Sequence, residues 1–191
     1  MMTFFSSNGK SMIGSRETQS PDRVKSRCYA LFSQEVALPN LETLYVTGMD
    51  SIEMIWDNQV VVESFPKLKS LSVDGCNKLV TVVPPFLLGQ LKSPESLEAK
   101  ACGSLEVVFE LQPLIPLDGH PIALPLREPT ISGLPKLKCV WDKEVHRQVQ
   151  FQRLRSVSVF ECNGLTSLFP ALIFRDLTQL EELEIRECGI A

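Results

Sequence analysis

The stretch FPKLKSLSVDGCNKLVTVVP, residues 65–84, holds one full copy of a phrase that recurs along the chain. In it Leu68, Leu71, Val73, Cys76, Leu79 and Val82 spell L-x-x-L-x-V-x-x-C-x-x-L-x-x-V. The L-x-V core alternates with period two, so in extended chain its apolar pair faces one way and its neighbours the other. A phrase of this length cannot bury its own apolar residues and must stack on its neighbours.

Working outward, the phrase returns in both directions. It reads Leu154, Val157, Val159, Cys162, Leu165, Leu168 and Phe169 in LRSVSVFECNGLTSLF. It starts again as Leu180, Leu183, Ile185, Cys188 and Ile190 in LEELEIRECGI. In PESLEAKACGSLEVVF it keeps Leu97, Ala99, Cys102, Leu105, Val108 and Phe109. Two copies carry a bulkier residue at the cysteine slot. One is LETLYVTGMDSIEMIW, with Leu41, Leu44, Val46, Met49, Ile52, Ile55 and Trp56. The other is LREPTISGLPKLKCVW, with Leu126, Ile131, Leu134, Leu137, Val140 and Trp141. Starts near 41, 68, 94, 126, 154 and 180 lie about 26 to 32 residues apart, at or just beyond a leucine-rich repeat length. GMDSIEMIWDNQV…FPKLKSLSV is echoed about 85 residues on by GLPKLKCVWDKEV…FQRLRSVSV, an internal duplication.

These repeats predict a leucine-rich-repeat solenoid. It is an α/β-type horseshoe of about six repeats, uncapped, with a parallel β-ladder on the concave face and mostly irregular convex arcs. Residues 28–191 form the repeat domain and 1–27, Ser-rich and polar, are expected to be disordered. Cys28, Leu31 and Phe32 read as the tail of an upstream repeat, and the array as a piece of a longer one. Pro129 stands where other repeats have Leu44, Leu71 and Leu183, and a proline has no N–H for a ladder. A short or interrupted fourth strand is therefore expected. Pro94 precedes its strand and should do less harm. Residues 110–125, ELQPLIPLDGHPIALP, predict a Pro-rich irregular loop.

Composition narrows the function. A net charge of −4 argues against nucleic-acid binding, which needs a basic face. No run approaches the ~20 apolar residues of a membrane span. MMTFFSSNGKS has no signal-peptide pattern, so a cytoplasmic location is expected. Cys76, Cys102, Cys162 and Cys188 share one slot of the phrase, as small buried residues do, and no C-x-x-C pair suggests zinc. Trp56 and Trp141 match the register of Phe109 and Phe169 and are expected in the core.

Catalysis finds no support. Gly9-Lys10-Ser11 lacks the earlier glycine, the strand and the helix of a phosphate loop, with Phe4 at the glycine's place. His120 and His146 sit in expected loops away from metal-spaced ligands or a nucleophile motif. Glu181, Glu182 and Glu187 read as a solvated face. The expectation is a non-enzyme without cofactor or metal.

If the ladder lines the concave face, the residues flanking each inward pair are the candidate contacts. They are Thr43, Tyr45 and Thr47; Ser70, Ser72 and Asp74; Ser96, Glu98 and Lys100. The array continues with Glu128, Thr130 and Ser132; Ser156, Ser158 and Phe160; Glu182, Glu184 and Arg186. Acidic residues outnumber basic ones, which would favour a basic patch on a partner. Tyr45 and Phe160 are the candidate aromatic anchors. The bland alternative is that these polar residues only keep the sheet soluble.

The phrases FPKLKSLSVDGCNKLVTVVP, CGSLEVVFE and GLPKLKCVW resemble the C-terminal leucine-rich repeats of plant coiled-coil, nucleotide-binding, leucine-rich-repeat disease-resistance proteins. The resemblance covers about Cys28 to Ala191. It implies a cytoplasmic immune receptor whose repeats bind protein: a pathogen effector, a guarded host protein or the receptor's own domains. This sequence lacks the coiled coil, nucleotide-binding domain and phosphate loop of that family, so the expectation is a truncated form without the switch. The alternatives are a non-functional receptor fragment, or a stand-alone leucine-rich-repeat adaptor or inhibitor.

Overall fold

The computed structural model describes residues 30–32, 36–57, 64–88, 91, 93–110, 122–141, 149–169 and 177–190. His120, His146, Cys28, the Gly9-Lys10-Ser11 run, the expected disorder of 1–27 and most of the Pro-rich loop lie outside them. In chain order the elements are β1 (Ala30–Phe32), β2 (Thr43–Thr47), β3 (Met54–Trp56), β4 (Ser70–Asp74), β5 (Thr81–Val83) and α1 (Pro85–Leu88). They continue with β6 (Ser96–Lys100), β7 (Val107–Phe109), β8 (Ile122–Ala123), β9 (Glu128–Ser132) and β10 (Cys139–Trp141). The last are β11 (Val149–Gln150), β12 (Ser156–Phe160) and β13 (Glu182–Arg186).

One strand from each phrase joins a six-stranded parallel sheet, ordered β13-β12-β9-β6-β4-β2. Its register aligns the phrases residue for residue, with Leu44 beside Leu71, Leu71 beside Leu97, and Val157 beside Leu183. The L-x-V pairs thus stack into two apolar columns, and each fully buried Leu or Val contributes about 1.5–3 kcal/mol.

Behind this sheet runs a second ladder, β10-β7-β5, with β1-β3 and β11-β8 as separate pairs. The described arcs are mostly irregular, as expected, but their L-x-x-V-W segments add short strands that the sequence did not announce. β3, β5, β7 and β10 give four coils a back strand, while the fifth contributes a single bridge, Ser167 to Cys139. Helix is confined, among the described residues, to the four of α1. The end of the Pro-rich loop is also ordered, as Ile122 and Ala123 pair with Val149 and Gln150.

The predicted damage at Pro129 is corrected. β9 keeps five residues and pairs along its whole length with β6, setting Leu97 opposite Pro129. The loss falls on the other side, where pairing with β12 starts only at Thr130 and Ser158. The N–H of Glu128 bonds Glu95 O on the β6 side. Successive N–H groups alternate, so the proline nitrogen faces β12, where its missing hydrogen shortens the ladder.

Every strand of the front sheet is followed directly by a left-handed residue. Gly48, Gly75 and Gly133 have φ of 62–64°, and Ala101, Glu161 and Glu187 have φ of 48–52°. This turn swings the slot residue inward. There each cysteine thiol donates back to the carbonyl two residues before it. Cys102 reaches Lys100 O and Cys162 reaches Phe160 O, both at 3.1 Å, with longer contacts from Cys76 and Cys188. Cysteine fits four of the six slots as a small apolar residue with a weak donor, and Met49 and Leu134 fill the other two. Burial pushes the Cys162 thiol up to about 11, while the Cys102 thiol hydrogen-bonded to Cys76 lowers the latter to about 7.

The back of the core is aromatic. Trp56 lies between Phe32 (5.4 Å, stacked) and Phe65 (4.8 Å, edge-on), and Trp141 is stacked on Phe109 at 4.3 Å. Both tryptophans are buried, in the place their repeat register gave them. Trp56 Nε1–H donates to Val82 O at 2.9 Å, whereas Trp141 Nε1–H has no partner among the described residues.

Candidate functional site: the outward face of the front sheet

Because the inward columns take every second side chain, the outward ones line up as three rows across the strands. The first row runs Thr43, Ser70, Ser96, Glu128, Ser156, Glu182. The middle row runs Tyr45, Ser72, Glu98, Thr130, Ser158, Glu184. The third runs Thr47, Asp74, Lys100, Ser132, Phe160, Arg186. At ~4.7–4.9 Å between strands the face extends roughly 25 Å along the solenoid.

The rows are not chemically alike. The first two hold hydroxyls, glutamates and Tyr45 but no cation, and both basic residues stand in the third. Each of those is tied to the glutamate two places before it: Lys100 Nζ to Glu98 Oε1, and Arg186 Nη2 to Glu184 Oε1. The Lys100 ammonium, with help from the Ser72 hydroxyl at 2.8 Å, holds the Glu98 carboxyl below the usual carboxylate range. Asp74, Glu128 and Glu182 make no ion pair among the described residues; Glu182 accepts a hydrogen bond from Ser156 Oγ at 3.3 Å. Two of the five acids are thus neutralised within their own strands, and the charge offered to a partner sits at the other three.

Tyr45 stands 43 % exposed in the middle row of β2. Phe160, four strands along, is half-buried, with the Arg186 guanidinium 5.8 Å from its ring centre. The face is therefore a polar strip with an aromatic group towards each end. Ser72 is the exception among the outward residues, being itself buried beneath the Glu98 carboxylate.

One rim was missed in the sequence reading. The residue after each phrase's first position forms its own row: Glu42, Lys69, Glu95, Arg127, Arg155, Glu181. Backbone bonds join neighbours, as from Lys69 N to Glu42 O and from Arg155 N to Arg127 O. Lys69 Nζ reaches Glu42 Oε2 at 3.1 Å, and the Nε of Arg127 is buried without a partner among the described residues. The signal was its constant place in the phrase. A similar row follows the strands, where Asn77 donates to Asp50 Oδ1 at 2.9 Å and accepts from the Gly103 N–H.

The back holds a cavity of about 220 Å³ beside Trp56, Thr81, Pro85 and Glu110. Among the described residues no group of three His, Cys, Asp or Glu is placed to hold a metal. No described helix is long and apolar enough to cross a membrane.

Comparison with curated proteins and with solved structures returned no match. A family model does match, over residues 33–189, which takes in all six strands of the front sheet: it is described as plant disease resistance protein RPS2-like, leucine-rich repeats. With that match and a parallel solenoid of the expected register, the chain belongs to the leucine-rich-repeat family of plant disease resistance proteins.

Proposed function

We propose that this chain is the recognition part of an intracellular plant immune receptor. Its outward sheet face binds a protein, either a pathogen effector or a host protein that effectors attack. The observation that carries the reading is the pairing of a disease-resistance repeat family with a polar face bearing two aromatic groups, Tyr45 and Phe160. Aromatic side chains in polar surroundings are the common anchors of protein interfaces. The three carboxylates with no ion pair among the described residues favour a basic patch on the partner, so binding should weaken as salt rises. The reading assigns the chain binding without catalysis.

The test is binding to a partner captured from infected and uninfected plant tissue and then purified. Y45A and F160A should each weaken the complex about 5- to 30-fold, as hot-spot truncations of about 1–2 kcal/mol do. Both variants should still unfold cooperatively, Y45A with little change in midpoint and F160A with a modest fall from its half-buried ring. Unaltered affinity in both variants would remove this face as the binding surface.

A further inference from the structure

The back ladder is interrupted between its first two coils. β5, β7 and β10 pair in one sheet and β3 pairs with β1 in another, so β3 and β5 share no ladder although they follow each other along the solenoid. They start together, with the Val80 N–H bonded to Glu53 O at 3.2 Å. Beyond that point a side chain takes over: Trp56 Nε1–H donates to Val82 O, where a continued ladder would set a backbone N–H.

The break has a cause in the sequence. The register of β3 on β1, with the Asp57 N–H on Phe32 O, sends the backbone groups of Ile55 to β1. By alternation those of Met54 and Trp56 turn towards β5. The next ladder donor for Trp56 O would come from residue 84, a proline with no N–H to give.

The cavity of about 220 Å³ lies in this break and is partly open to solvent. Met54, Ile55 and Trp56 line it from β3, and Thr81, Pro84 and Pro85 from the next coil. Its one charged lining residue is Glu110, whose N–H on Val83 O fixes it beside the end of β5. Glu110 makes no ion pair among the described residues. The Thr81 hydroxyl oxygen is buried without a partner among the described residues. A carboxylate and a strand-edge carbonyl thus face the same space as Met, Ile and Pro side chains. An ammonium carries three donors and no acceptor, and a guanidinium five, so either can serve both oxygens at once. The positive charge strengthens the bond to the carboxylate. The space is below the ~300–1,000 Å³ of pockets that hold drug-sized molecules, so the occupant must be small.

We infer that this break binds a free, short-chain organic cation, a primary alkylammonium or alkylguanidinium. Its head sits on the Glu110 carboxylate and Trp56 C=O, and its alkyl part lies against Met54 and Pro85. The site is on the back of the solenoid, separate from the outward face of the front sheet.

The test is NMR of the full chain, following the Trp56 indole N–H, which is the indole signal that W141F retains. Titration with n-butylammonium chloride at constant ionic strength should move it saturably, with a Kd on the order of 1 mM for so small a ligand. n-Butanol has the same alkyl chain without the charge and should bind about tenfold more weakly or worse. E110Q should weaken butylammonium by a similar factor. A lysine blocked at both ends within a Gly-Lys-Gly peptide should not bind, since its backbone exceeds the recess. An unmoved Trp56 signal, equal binding of butanol, or an E110Q chain that binds as before would each overturn the proposal. Tighter binding of the lysine peptide would overturn it in favour of a side chain from a protein partner. Should E110Q fail to unfold cooperatively, the comparison with butanol on the unsubstituted chain decides.

Discussion

Leu44 and Leu183 hold the same place in the first and last phrases, and Val46 and Ile185 the next inward place. Yet Leu44 and Val46 are each 1 % exposed, while Leu183 and Ile185 are nearly half exposed. The sequence of the two strands does not explain this, since both alternate cleanly. What differs is the company: Phe32, with Leu31, Val36 and Leu38, packs on the core ahead of β2, and no described residue does so beyond β13. In a stacked array a repeat is only as buried as its neighbours make it, so apolar pattern and burial part company at an end.

Four contrasts, drawn from six substitutions, break or sharpen that comparison. The largest difference should separate L44A from L183A in urea unfolding. The first empties a closed core site and should cost about 2–5 kcal/mol, the second well under about 1 kcal/mol. Similar losses would mean that both ends are equally covered. The tryptophans give a second contrast, each in equivalent positions of the duplicated unit. W56F leaves Val82 O without its donor, whereas W141F removes an N–H that has no partner among the described residues. W56F should therefore cost about 1–3 kcal/mol more than W141F, measured at the same midpoint temperature.

A smaller gain is expected at the left-handed turns. Gly133 and Glu161 do the same job in successive repeats, but a non-glycine residue there is strained. E161G should raise stability by about 0.5–1 kcal/mol once glycine's greater unfolded-state entropy is subtracted. No gain would show the turn to be relaxed. The smallest effect concerns Glu98 on the outward face. Its carboxyl is lowered on folding by Lys100, so the contribution is present above the unfolded value of about 4.3 and fades as pH falls further. The pair is well exposed, and K100M should remove only a few tenths of a kcal/mol, at neutral pH and not in acid. Equal effects at both pH values would contradict an ion pair.

The front sheet was readable from the sequence because five-residue strands are long enough for period-two alternation to stand out. TLYVT, SLSVD and SVSVF each show both inward residues and their flanks. The outward rows followed from that alternation alone. The back ladder was not readable: MIW, TVV, VVF and CVW are three residues long, too short to separate a strand from an apolar turn. Pro129 misled because a proline disables one edge of a strand and leaves the other intact, and sequence does not say which edge matters. The pairings of Glu98 with Lys100 and Glu184 with Arg186 were also hidden. A charge count adds such residues separately, although side chains two apart on one strand share a face and can cancel locally.

The most direct test of the two-ended account is amide hydrogen exchange, read residue by residue. The register points the N–H groups of Leu44 and Val46 towards β4, inside the sheet, and those of Leu183 and Ile185 towards the open edge. The first pair should be strongly protected and the second should exchange near the rate of unstructured chain. Equal protection at both ends would contradict the six-stranded order that places β13 at the edge.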